Sequence, residues 1–213
     1  LREEDDRYVM DGPLPPLAIP ATLQDSLMAR LDEMSPVKEV AQIGACIGRE
    51  FSHELLAAVA PMGDNALDEA LQQLVTSEII LRRGGGSDMH FVFKHALVQD
   101  TAYDSLLKSK RRQLHLRIAT ALEERDDVLP EVLGHHCAAA GLVDRAIPYF
   151  VAAGHAAMRS TALHEAVSHL NEGLSLVGGI GDETERDRLE LDVRAALGTT
   201  YMALLGWPAA EVE

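Results

Sequence analysis

The stretch that decides the fold runs Glu78-Ile79-Ile80-Leu81-Arg82, then Gly84-Gly85-Gly86-Ser87-Asp88, then Met89-His90-Phe91-Val92-Phe93. Up to Glu78 the apolar residues recur at helical spacing. Here they switch to short, β-branched and aromatic runs on either side of a glycine loop, the pattern of a β-hairpin. The glycines have neither dinucleotide-fingerprint spacing nor a following lysine, so they read as a flexible tip.

Working back from the hairpin, four helices are expected. Asn65 with Asp68 opens one that turns Leu67, Leu71, Leu74 and Val75 inward. Pro61 to Asp64 is a turn. Ser52 caps another helix, carrying Leu55, Leu56 and Val59. Ser35-Pro36 starts a third, with proline in the first turn, and Gly48 stops it. Thr22 with Asp25 opens the first, with Leu23, Leu27, Leu31 and Met34 on one face. Before it, Pro13, Pro15, Pro16 and Pro20 make residues 1–20 an extended linker. Helices followed by a hairpin is the element order of a winged helix, here residues 21–107.

Working forward, residues 108–213 are all helical. Helices are expected over 95–107, 109–125, 131–140, 144–159 and 162–177, and a last one, capped by Thr184 with Asp187, reaches Leu205. Short connections make neighbours antiparallel hairpins. Small and aromatic residues fall at tetratricopeptide-like spacing: Gly134, Ala146 and Phe150 in one match, Gly198, Tyr201 and Ala210 in another. A further match through Gly154, Ala157, Ala166, Leu170 and Gly173 overlaps the first by about one helix. The small residues let helices approach closely. The fold class is thus mainly α: a winged helix with a small hairpin, then a tetratricopeptide-like antiparallel array. Truncation within a new helix at Trp207-Pro208, and Leu1 at the start, read as a piece cut from a longer protein.

Composition narrows the function. The chain has 213 residues, 47% of them hydrophobic, 4% aromatic and 29 alanines, which favours close-packed helices. Its formal charge of −15 argues against a nucleic-acid partner, which calls for a basic face. No apolar run approaches the roughly 20 residues that span a bilayer, so no membrane partner is expected. Cys46 and Cys137 read as small buried thiols, which with the missing signal peptide suits the cytoplasm. No Walker loop, nucleophile elbow or zinc-protease motif is present, so the segment has no catalytic residues and no cofactor of its own. His135 and His136 are adjacent on a helix and point about 100° apart, so no metal is expected there. His155, His164 and His169 read as solvated or packing side chains. Lys108, Lys110, Arg111, Arg112 and Arg117 form a basic stretch, read as a solvated helix start balanced by Glu123, Glu124, Asp126 and Asp127.

One segment carries a resemblance. Phe93-Lys94-His95-Ala96-Leu97-Val98-Gln99-Asp100-Thr101-Ala102-Tyr103 resembles the signature that closes the winged helix of STAND signal-transduction ATPases, relatives of plant resistance receptors, the apoptotic protease-activating factor and the maltose-regulon activator. In the plant and animal branch it runs Met-His-Asp-Leu-hydrophobic-Arg-Asp. His95, Leu97, Val98 and Asp100 match, whereas Lys94, Ala96 and Gln99 replace the Met, the first Asp and the Arg. Residues 19–32, 45–51 and 136–160 also look like bacterial members, where such a block lies between an ATPase and a long repeat array. The resemblance implies a non-catalytic regulatory segment of a larger ATPase, possessing ATP or ADP with Mg in the parent chain and an adenylate/guanylate cyclase or transcriptional output domain. Its partners would be the upstream ATPase domain and a protein or small-molecule ligand on the array. The motif histidine, here His95, would sense the β-phosphate of ADP, with Lys94 adding charge. The alternatives are an interaction scaffold without nucleotide coupling, or a DNA-binding winged helix reading through residues 65–76.

Overall fold

The computed structural model describes residues 2–4, 7–9 and 35–205. The expected helix at Thr22, the proline-rich stretch and Ala210 lie outside the described residues. The described chain is mainly helical, with a small three-stranded antiparallel sheet in its first half. In order, the elements are β1 (Arg2–Glu4), β2 (Arg7–Val9), α1 (Ser35–Ile47), β3 (Glu50–Ser52), α2 (His53–Val59), α3 (Asp64–Thr76), β4 (Ile80–Arg83) and β5 (His90–Phe93). Then follow α4 (Ala96–Asp104), α5 (Lys108–Glu123), α6 (Pro130–Ala140), α7 (Val143–Arg159), α8 (Leu163–Leu176) and α9 (Glu183–Leu205). Within the segment read as an extended linker, β1 and β2 pair antiparallel, Arg2 opposite Val9.

The hairpin forms as its pattern demands: Ile80 pairs with Phe93 and Arg83 with His90. Gly84 has φ +68°, and a Cβ there would lie 2.1 Å from the Asp88 carbonyl oxygen, so only glycine closes this loop. The sheet has a third strand that sequence reading missed, β3, in the order β3-β5-β4 with Phe51 opposite Phe91. Three residues are too few for a periodic signal. What holds β3 is packing: the Phe51 ring lies 5.9 Å from Phe91 and 5.7 Å from Phe93, centroid to centroid. Its other side lies against Gly44 of α1, where a Cβ would meet the ring at 2.7 Å.

The strand runs straight into a helix cap. Ser52 Oγ accepts a hydrogen bond from the Leu55 amide at 3.1 Å, as expected. Ser52→Ala should cost about 1 kcal/mol in a urea titration, with Ser52→Thr retaining most of the stability. Two other caps differ from expectation. Helix α3 begins at Asp64 after Gly63, which makes no side-chain cap bond, and Asn65 lies inside the helix. Helix α9 begins at Glu183, and it is Asp182 Oδ1, not Thr184, that accepts from the Glu185 amide at 2.8 Å.

The main core gathers Val40, Ile43, Leu56, Leu67, Leu74, Ile80 and Phe93. It continues across residue 107 into Ile118 and Leu122 of α5 and Leu133 of α6, so α5 belongs to both halves. Beyond it, successive helices pack side by side around Ile147, Leu170, Leu189 and Val193. Gly141, at φ +83°, ends α6 and reverses the chain into α7.

Candidate functional site

Three places were singled out by residue type: the junction at His95, the paired histidines, and the small-residue positions of the array.

His95 caps α4 by backbone only. Its carbonyl accepts from the Val98 amide at 3.1 Å, and its side chain is exposed and makes no cap hydrogen bond. Lys94 stands beside it, but its Nζ donates to Glu78 Oε2 at 2.6 Å. That hydrogen bond, then the ammonium's charge, holds the Glu78 carboxyl below its ordinary range. Glu78 sits at φ +57°, in the turn between α3 and β4. A shallow recess of about 370 Å³ lies here, between Ser77, Glu78, Lys94, His95 and Val98. The structure thus brings Lys94 and His95 together and adds Glu78, which sequence reading did not include. Of the motif's apolar pair, Val98 is buried, but Leu97 is only half-buried instead of lying in the core.

The paired histidines are not both solvated. His136 is 2% exposed and His115 of α5 is 1% exposed, and their Nδ1 atoms lie 2.9 Å apart. The other nitrogen of His115, Nε2, is 3.1 Å from the Tyr103 hydroxyl of α4. Either tautomer of His115 satisfies both contacts, because one proton lies between the two Nδ1 atoms and the hydroxyl both donates and accepts. The exposed His135 brings its ring within 6.0 Å of His115 and 5.6 Å of His136. Arg111 stacks over Tyr103, 4.5 Å from the ring centroid. Burial first, then the neighbouring His135 and Arg111, push the His115 pKa down to about 4. Burial, then His115 and His135, push that of His136 down to about 3. Sequence reading missed His115, which lies between the residues of the basic stretch. The signal was its place on the inward stripe with Ile118, Ala119 and Leu122. Among the described residues, no group of three His, Cys, Asp or Glu could hold a metal ion.

In the basic stretch, Arg111 turns back to the Asp104 and Leu106 carbonyls, while Lys108, Lys110, Arg112 and Arg117 are exposed. Two of the four acids expected to balance them do other work. Glu123 is bound by Arg145 and by the Tyr149 hydroxyl, and Asp127 by Arg125. Cys46 and Cys137 are free and buried; burial pushes the Cys46 thiol up to about 12, and raises that of Cys137. His155 and His164 are exposed, and His169 is half-buried with Nε2 3.8 Å from Glu165.

At the array positions, Ala146 and Phe150 are buried, and a Cβ on Gly134 would meet the Phe150 ring at 3.2 Å. Gly154 faces Leu170 and Gly173 faces Phe150. Small residues of both matches thus lie at helix contacts, where α7 packs on α6 on one side and α8 on the other. Tyr201 is half-buried against the second core. Gly198 departs from the expectation of close approach: a Cβ there would meet nothing within 4 Å.

Among the described residues no helix is long and apolar enough to cross a membrane. No family model matches the chain. It is 29% identical over 191 residues to an uncharacterized protein of Rhizobium meliloti (strain 1021), a match that takes in 87% of this chain and 19% of that protein. The chain thus spans about a fifth of the length of this relative.

Proposed function

We propose that this chain is a non-catalytic regulatory segment of a larger cytoplasmic signal-transduction ATPase of the STAND type. We read α1–α3 with the sheet as a winged helix, and α5–α9 as a tetratricopeptide-like array that receives a protein or small-molecule ligand. The nucleotide state of an upstream ATPase domain, carrying ATP or ADP with Mg, would be coupled through these parts to a cyclase or transcriptional output. Such coupling requires contacts that differ between two states of the parent.

The observation that carries the reading is His95. It stands exposed at the N-terminus of α4, its side chain unused by the helix it opens, inside the segment that resembles the ATPase signature. An imidazole at that position adds a donor to the positive end of a helix dipole, the arrangement that suits a phosphate. The length of the Rhizobium relative supports placement within a long polypeptide.

The test is His95→Ala in the full-length chain, reading the ADP that co-purifies. Loss of one hydrogen bond to a charged group lowers affinity by about 10- to 100-fold, so the variant should shed ADP that the wild type retains. Undiminished retention would favour a scaffold without nucleotide coupling. A DNA-binding reading is disfavoured by α3, which exposes Asp64, Asp68 and Glu69 and contains no Lys or Arg.

A further inference from the structure

A second recess lies on the opposite side of α1 from the sheet, where α1, α5 and the α2–α3 turn meet. It measures about 200 Å³. Its apolar wall is Ile43 of α1, Pro61 of the turn, and Leu106 and Leu114 around the start of α5. Its polar rim is Lys110, Gln113 and Arg117 from α5, faced by Glu39 and Gln42 from α1.

What marks the place is that two cations share one recess with an apolar wall. Lys110 and Arg117 are seven residues apart, two turns along one face of α5. Elsewhere the basic side chains of this acidic chain are often matched: Lys94 to Glu78, Arg145 to Glu123, Arg188 to Glu185 and Asp192, Arg194 to Glu190. Lys110 and Arg117 have no ion pair or hydrogen bond among the described residues. Gln113 likewise keeps its amide unpaired there, while Gln42 spends its Nε2 on Ser105 Oγ at 2.7 Å. Against these two cations the rim sets one carboxylate, Glu39. The recess thus offers an apolar wall, two unmatched positive charges and one negative charge, in a volume below that of a drug-sized pocket.

We propose that this recess binds a small carboxylate with an apolar body, its carboxylate held by Lys110 and Arg117 and its hydrocarbon laid on Ile43, Leu106, Leu114 and Pro61. Glu39 lets the ligand carry a positive group as well, so an apolar amino acid and a short fatty acid share the required chemistry. Because α1 belongs to the first half and α5 opens the helical array, an occupant would join the two. The inference is independent of the nucleotide reading at His95, which lies on another face.

The experiment is ligand-observed NMR and isothermal calorimetry on the chain as it stands, with leucine, hexanoate and hexylamine as probes. Leucine or hexanoate should bind with a dissociation constant of about 1 mM or tighter, and hexylamine should not. Lys110→Gln/Arg117→Gln, which touches only exposed side chains, should weaken binding at least tenfold while leaving the circular dichroism and melting curve unaltered. Glu39→Gln separates the two sources: it should weaken leucine while sparing or strengthening hexanoate if the amino acid is the natural class, and strengthen both alike if the fatty acid is. Absence of binding by both carboxylates, equal binding of hexylamine, or affinity untouched by the double substitution would each overturn the proposal.

Discussion

Gly154→Ala is expected to destabilise the helical array by about 1 kcal/mol, although alanine is the better helix former. A Cβ at Gly154 would stand 2.6 Å from Leu170 Cγ and 2.8 Å from its Cδ2, closer than packed carbons come. Leu170 cannot retreat. It is fully buried among Ile147, Leu189 and Val193, so relief requires α7 and α8 to separate. The propensity gain of up to about 1 kcal/mol is outweighed by overpacking, backbone shift included, of about 1–3 kcal/mol, so the net sign is unfavourable. Gly198→Ala is the control with opposite sign. It sits within α9 and a Cβ there meets nothing within 4 Å, so the same substitution should stabilise by about 0.5–1 kcal/mol. Urea midpoints of the two variants measure both. A lowered midpoint for Gly198→Ala, or a raised one for Gly154→Ala, would show that small-residue contacts do not set the helix spacing.

That pair also shows how far the array was legible. Residue spacing picks out glycines that fit a repeat, but it does not tell whether a large side chain faces them. Gly134 faces Phe150, and Gly198 faces open space, yet both satisfy the same spacing. The helices themselves were readable because their inward stripes are long and regular. Their starts were less so, since a cap is one hydrogen bond among several nearby candidates: Ser52 was the right choice, whereas Asp182 and Gly63 displaced Thr184 and Asn65. Strand β3 left no signal because its three residues are held by the rings of Phe51, Phe91 and Phe93 rather than by local pattern.

The site was legible in its residues and not in their partners. The sequence places His95 and Lys94 at a strand-to-helix junction, but the carboxylate that holds Lys94 comes from Glu78, across the hairpin. The same limit hid the buried histidine pair. His115 and His136 lie on different helices, and neither helix's own sequence names the other as partner. Only the packing of α5 on α6 brings their nitrogens together.

The buried pair has the larger consequence. Both imidazoles are held neutral, with pKa values pushed down to about 4 for His115 and about 3 for His136. In the unfolded chain a histidine titrates near 6.5. As pH falls below that value, the unfolded state takes up protons that the folded state refuses, so folding stability declines with it. The contribution is fully present above about pH 6.5 and is lost progressively down through pH 4, by roughly 3 kcal/mol for each imidazole. Protonating one ring sets its charge beside His135 and, for His115, Arg111, and protonating both forces two N–H groups against each other, on elements that join the first half to the array. Urea unfolding at pH 7, 5.5 and 4 should show this slope in the wild type. His115→Leu/His136→Leu should flatten it while costing stability at pH 7, because the Tyr103 hydroxyl loses its partner. Arg111→Met should make the loss smaller and end it at a higher pH, since His115 would then protonate more readily in the folded state. An unchanged slope in the double variant would assign the acid sensitivity to other groups and leave the histidine contact as packing alone.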